Sequence, residues 1–284
     1  MKVNIYDDIE QFRLDTLPAL LENETANNLF ISLITHEKVR RSADWLLATV
    51  SEGEDICLAA LYIEPFDLLL HERAGTGSSG AVELLARQLL HIGCAPPSVM
   101  AESGLAWRFA NAFSIGGINK SHMTMVAMRL DALADYKKAP GSSRALESSD
   151  MFFAPYWERA FSEDCRVEAF TITKNVKRLM TRLGKDTHYI WEDGVPVSQA
   201  VHGRDTPNSA VINGVYTPPQ YRGHGYATSV VAELAKSRFE SGKEFCCLFA
   251  DADNPASLKI YRRLGFYDVC EHEVIKFDTR MLIT

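Results

Sequence analysis

Apolar positions along the chain fall into two long series with the same order of periods. In the first, Leu14, Leu17, Leu20 and Leu21, then Leu29, Phe30, Leu33 and Ile34, recur at helical spacing. Trp45–Val50 and Ile56–Ile63 read as strands joined by the turn Ser51-Glu52-Gly53-Glu54-Asp55, and Phe66–His71 reads as a third strand. A Gly/Ser-rich turn over residues 75–80 leads into a predicted helix, Ala81–His91. A strand (Ser98–Ala101), a helix (Leu105–Phe113) and a long strand (Met123–Leu130) complete the series. The second series opens with helical patterning at Trp157–Phe161 and Phe170–Leu183. Strands Tyr189–Glu192 and Val197–His202 flank Asp193-Gly194, and Ala210–Tyr216 is the third strand. Helix Tyr226–Phe239, strand Phe245–Ala250, helix Pro255–Leu264 and strand Val269–Phe277 follow.

Between the two series lies Lys137-Lys138-Ala139-Pro140-Gly141-Ser142-Ser143, which can neither bury an apolar face nor extend a helix. The pattern predicts an N-terminal domain over 1–136, a linker over 137–149 and a C-terminal domain over 150–284. Glu102 and Asp251 both end the strand that follows the long helix of their half. Identity between the halves is low, so a degenerate duplication is read from element order rather than from residues. The predicted class is α/β (α+β), with a mixed sheet flanked by helices in each half.

The chain has 284 residues, 46% hydrophobic and 24% charged, which is the profile of an ordinary globular protein and excludes a disordered or disulfide-dense chain. A net charge of −7 counts against a nucleic-acid binder. Residues 1–140 carry 12 basic and 18 acidic groups, so most of the negative charge lies in the first half. The second half is the better host for an anionic ligand. Six cysteines without metal-ligand spacing read as buried, reduced thiols, which predicts no metal site and a cytoplasmic protein. No segment has the length of a membrane span.

Two stretches carry candidate chemistry. The strand ending at Tyr216 is stopped by Thr217-Pro218-Pro219, and Gln220-Tyr221-Arg222-Gly223-His224-Gly225 then runs straight into a helix. Closely spaced glycines let backbone approach a ligand, and the free amides of a helix's first turn favour a phosphate. The loop lacks the Gly-Lys-Ser/Thr ending of a triphosphate loop and the third glycine of a dinucleotide fingerprint. Thirty residues on, Asn254 and Pro255 open a helix that carries Tyr261 and stops at Gly265-Phe266. Taken singly, Tyr261 reads as a core aromatic with its hydroxyl satisfied.

Together these stretches resemble the GNAT (GCN5-related N-acetyltransferase) superfamily. Gln220, Gly223 and Gly225 match its Gln/Arg-x-x-Gly-x-Gly/Ala motif. Asn254, Ser257, Tyr261, Gly265 and Phe266 match its later signature. The resemblance covers roughly residues 150–284; over 1–135 only the element order is similar, as in tandem GNAT proteins with a decayed N-terminal copy. It implies two GNAT-like domains with splayed, mostly antiparallel sheets. It also implies an acetyl-CoA-dependent N-acetyltransferase that moves an acetyl group to a primary amine by direct attack in a ternary complex. By the resemblance, Val215, Tyr216 and Thr217 hold the pantetheine arm. Loop amides of Arg222, Gly223, His224, Gly225, Tyr226 and Ala227 hold the pyrophosphate, and the motif residue Gln220 belongs to the same cofactor-binding set. Asn254 and Ser257 contact pantetheine or simply cap their helix, and Tyr261 is the general acid. The strand before the loop has no carboxylate, which leaves Asp251, Glu271, Glu273 or a water chain as general base. The partner implied is a small-molecule or peptide amine, with neither nucleic acid nor membrane, in a monomer or homodimer. The readings left beside it are a non-catalytic acyl-CoA-binding regulator and an acyltransferase with another donor. In the first half no tyrosine stands in register on the helix from Leu105, so fold without chemistry is expected there.

Overall fold

The computed structural model describes residues 1–35, 45–75, 80–114 and 119–277. The chain divides into two compact units, one of residues 1–127 with 269–284 and one of residues 128–268. These limits differ from the predicted boundaries at both ends of the second half, and the last strand packs in the N-terminal unit.

In the N-terminal unit, β1 (Lys2–Ile5), β2 (Trp45–Glu52), β3 (Asp55–Ile63) and β4 (Leu68–Glu72) pair antiparallel in chain order. β4 then pairs parallel with β5 (Ser98–Glu102) over only two positions, Leu68 with Val99 and Leu69 with Met100. Beyond Leu69 the two strands separate. Helices α1 (Ile9–Leu21) and α2 (Asn28–Thr35) precede β2. α3 (Ala81–His91) and α4 (Ser103–Phe113) bury Leu85, Leu89, Phe109 and Phe113 in one apolar cluster with Ile275 and Phe277. β6 (Lys120–Leu130) closes the first series. The Gly/Ser turn read ahead of α3 lies largely outside the described residues.

The C-terminal unit repeats the order. β7 (Ser142–Ala145) falls inside the predicted linker and pairs with β8 (His188–Asp193). Its sequence, Ser-Ser-Arg-Ala, has no apolar alternation to announce it. It is held by Arg144, which donates to Asp150 at 2.7 and 2.9 Å and to Glu192 at 2.6 Å. The rest of the predicted linker is likewise docked: the Ala139 amide donates to Ser229, and the Trp191 indole donates to the Pro140 carbonyl. α5 (Ala154–Asp164) and α6 (Ile172–Met180) precede β9 (Val195–Asp205) and β10 (Ser209–Tyr216). α7 (Tyr226–Glu240), β11 (Phe245–Asp251) and α8 (Pro255–Leu264) follow. β12 (Tyr267–Lys276) pairs antiparallel with β5, from His272 opposite Glu102 to Lys276 opposite Ser98.

All six cysteines are free. Cys57, Cys246 and Cys247 are buried as expected, whereas Cys94, Cys165 and Cys270 are partly exposed. Among the described residues no helix is long and apolar enough to cross a membrane, and no group of three or more His, Cys, Asp or Glu could hold a metal ion.

Candidate active site

β10 and β11 run parallel and pair only from Ser209 to Val211, opposite Phe245 to Cys247. From Ile212 onward the edge of β10 that faced β11 is left without its ladder. On the other side, β10 carries an extra residue against β9. Asn213 lies opposite Val201 and Tyr216 opposite Gln199, so two residues, Gly214 and Val215, face one. Gly214 sits at φ 57° within this bulge.

Side chains of β9 secure the bulge. Gln199 donates to the Gly214 carbonyl at 3.3 Å, and its own carbonyl oxygen accepts from His188 Nε2 at 3.3 Å. Ser198 Oγ donates to the Tyr216 carbonyl at 3.1 Å. His188, Ser198 and Gln199 are fully buried, so these bonds are shielded from water. His188 Nδ1 is buried without a partner, and burial, with Arg182 nearby, pulls its pKa down to about 3. The folded state therefore binds fewer protons than the unfolded chain between pH 6.5 and 3. Stability is complete above pH 6.5 and falls as pH drops through that window, by roughly 1.4 kcal/mol per unit for one such group. His272 in the N-terminal unit, lowered to about 4 mainly by burial, acts in the same direction. His188→Gln is expected to flatten the fall in urea-unfolding free energy between pH 6.5 and 5; an unchanged slope would remove His188 from this account.

A cavity of about 620 Å³ lies where β10 and β11 diverge. Its walls are the open β10 segment, the loop 221–225, the first turn of α7, the end of β11 and the first turns of α8. Gly223 and Gly225 adopt left-handed conformations, at φ 83° and 86°, which bring the loop round to the start of α7. Arg222 donates to the Thr217 carbonyl at 2.9 Å and to Asp164 at 2.6 Å. Tyr261 is buried beside Phe266 and lines the cavity, and its hydroxyl makes no hydrogen bond among the described residues. Burial pushes its phenol above the ordinary range, so it stays protonated at neutral pH.

Of the residues read from sequence, Val215, Tyr216, Thr217, Arg222, Gly223, Gly225, Tyr226, Ala227, Asn254, Ser257, Tyr261 and Asp251 all line this one cavity. Gln220 and His224 do not. His224 turns its Nδ1 to the Arg222 carbonyl at 2.9 Å and stacks on Tyr226, so it braces the loop from outside. Asn254 caps α8, accepting from the Ser257 amide at 3.1 Å. Glu271 and Glu273 are not among the lining residues. They lie on β12 in the N-terminal unit, where Glu273 accepts from Ser121 and Thr124. Phe161, Asp164 and Cys165, from the end of α5, complete the wall, and no motif in the sequence announced them. The Cys165 thiol is pushed up to about 11 by burial, which keeps it protonated and a poor nucleophile.

Splayed parallel strands, a glycine loop at a helix N-terminus and a tyrosine on the next helix are the architecture of a GNAT fold. Residues 151–266, all within the C-terminal unit, match the model of the acetyltransferase (GNAT) family, so that unit carries a GNAT acetyltransferase domain. Domains of this family take acetyl-CoA as acyl donor. Among solved structures, the chain is similar to a GCN5-related N-acetyltransferase from Sphaerobacter thermophilus, with TM-score 0.66 and 14% identity, covering 97% of this chain and 95% of that one. A GNAT-family acetyltransferase from Colwellia psychrerythraea matches with TM-score 0.59 and 10% identity, covering 98% and 99%. A tandem GNAT protein from the clavulanic acid biosynthesis pathway matches with TM-score 0.58 and 14% identity, covering 96% and 97%. At these identities the likeness is one of fold. A comparison with curated proteins gives no match.

Proposed function

We propose that the C-terminal unit is an N-acetyltransferase that transfers an acetyl group from acetyl-CoA to a primary amine by direct attack. The observation that carries this reading is the unpaired edge of β10 from Ile212 onward, opening into the same cavity as the glycine loop and Tyr261. An extended chain bearing amides fits such an edge as an added strand would. The loop suits phosphate: the amides of the first turn of α7 are free for an anion, and nothing lies within 4 Å of where a Cβ would stand on Gly223. Lys259 and Arg263 add positive charge to the wall, while Arg222 is paired with Asp164.

In this reading the donor supplies the activated acetyl group, and the protein supplies position and protons. The β10 bulge directs backbone amides near Val215 at the acyl carbonyl, where developing negative charge is stabilised by fixed donors. Tyr261 holds the proton that a departing thiolate requires. Asp251 ends β11 on the cavity wall, and this reading gives it the role of drawing a proton from an attacking ammonium, directly or through water.

Acetyl-CoA at 100 times its Kd is expected to stabilise the protein by about 2.7 kcal/mol, read as a clear rise in melting temperature. Thiol release with an amine panel then tests turnover. No thermal shift with acetyl-CoA or CoA overturns the reading; a shift without thiol release leaves an acyl-CoA-binding protein instead.

A further inference from the structure

Gly214 and Val215, the bulged residues of β10, both line the cavity, and neither has a register partner on β9. The peptide that joins them is therefore not oriented by a regular ladder. Glycine on its N-terminal side makes the peptide plane easy to turn over, because no Cβ opposes the change. A larger residue does not fit there without displacement: an added Cβ on Gly214 would stand 3.0 Å from Val201 Cγ2.

Two side chains hold the planes on either side of this glycine. Asn213 Oδ1 accepts from the Gly214 amide at 2.7 Å, which fixes the plane before it. Gln199 Nε2 donates to the Gly214 carbonyl at 3.3 Å, which fixes the plane after it. That peptide is trans, so its C=O and N–H point in opposite directions. With the carbonyl turned to Gln199 of β9, the Val215 N–H is turned to the other side of β10, the one that β11 leaves open beyond Val211. His188 decides which end of the Gln199 amide faces the glycine. Its Nε2 donates to the Gln199 oxygen, which leaves the NH2 group for the carbonyl. Both side chains are fully buried, so water does not compete for these bonds. Gln199 is not among the residues that line the cavity, so any effect on a bound molecule passes through the peptide.

We propose that Gln199 is a positioning residue for acetyl transfer: through the Gly214 carbonyl it aims the Val215 N–H at the oxygen of the acetyl thioester. This role rests on the transferase reading of the cavity.

The test is isotope-edited infrared spectroscopy of the full chain with acetyl-CoA carrying carbon-13 at the acetyl carbonyl. In the wild type the hydrogen bond from Val215 should lower the C=O stretch below its value in water. Gln199→Met, close in size and without the donor, should return the band toward the solution value. It should also lower kcat by roughly tenfold to a hundredfold, with the Kd of acetyl-CoA within roughly threefold of wild type. A role confined to packing would lower the melting temperature and leave the band in place. Should Gln199→Met fail to fold, Gln199→Glu keeps the shape. Above about pH 8 its ionised carboxylate offers the Gly214 carbonyl no donor, and the same displacement of the band is expected. The proposal is overturned if a folded variant keeps the wild-type band or the wild-type kcat, or if the band of the bound wild type sits at its solution value. A wild type that binds no acetyl-CoA overturns the transferase reading and this role with it, whereas bound acetyl-CoA with an unmoved band overturns this role alone.

Discussion

Tyr261→Phe is expected to lower kcat for acetyl transfer by about 100-fold, the lower end of what a positioned general acid contributes. The substitution removes one oxygen and keeps the ring. The edge contact with Phe266, with centroids 5.7 Å apart, and the buried apolar face of α8 at Leu258 and Leu264 survive. The hydroxyl makes no hydrogen bond among the described residues, so its removal orphans no partner and folding stability should change by less than about 1 kcal/mol. Acetyl-CoA binding, carried by the β10 edge and the loop amides, should stay within roughly threefold of wild type. The thiol neighbour Cys165 gives a control. Pushed up to about 11, it is protonated at assay pH, so Cys165→Ala should leave kcat nearly unchanged. Steady-state thiol-release kinetics read all of these. Unimpaired turnover in Tyr261→Phe would show that the proton comes from elsewhere. Collapse of binding together with folding would make Tyr261 a packing residue.

The candidate site was legible in proportion to how local it is. The Gly223–Gly225 loop, the Asn254 cap and Tyr261 are fixed by spacing within single strand–helix joints, so short-range sequence states them. The wall from α5 was not legible, because Phe161, Asp164 and Cys165 reach the cavity only through tertiary packing. Sequence also cannot state strand order. Glu271 and Glu273 read as candidate bases because they are carboxylates on the last strand, yet β12 pairs with β5 in the N-terminal unit. The short strands β1 and β7 escaped for a related reason. Lys2–Ile5 and Ser142–Ala145 have no fully buried position, and the ladder of the neighbouring strand defines them.

A segment with almost no apolar content holds the residue whose substitution should destabilise most among the described glycines. Gly141 has the composition of a flexible linker around it, but its φ of 94° is left-handed, and an added Cβ would stand 2.1 Å from the Glu192 carbonyl oxygen and 2.9 Å from its carbon. Both atoms are backbone, and Glu192 is paired with Ser142 in the β7–β8 ladder. No rotamer change can relieve the overlap, so the ladder itself must move, beside the ion pair of Arg144 with Glu192. Gly223 separates the two contributions. Its φ of 83° carries a similar backbone penalty, yet nothing lies within 4 Å of its would-be Cβ. Gly223→Ala should cost about 1–2 kcal/mol from backbone strain alone. Gly141→Ala should cost about 3 kcal/mol or more, because displaced strand backbone adds to the strain. At roughly 2–4 °C per kcal/mol for a chain of this size class, calorimetry should show Tm falling by about 6–12 °C for Gly141→Ala and about 2–8 °C for Gly223→Ala. Gly223→Ala should instead show its larger effect in weakened acetyl-CoA binding. Equal Tm losses would mean that the Gly141 turn yields without moving β8, and that residues 137–143 behave as the linker their composition describes.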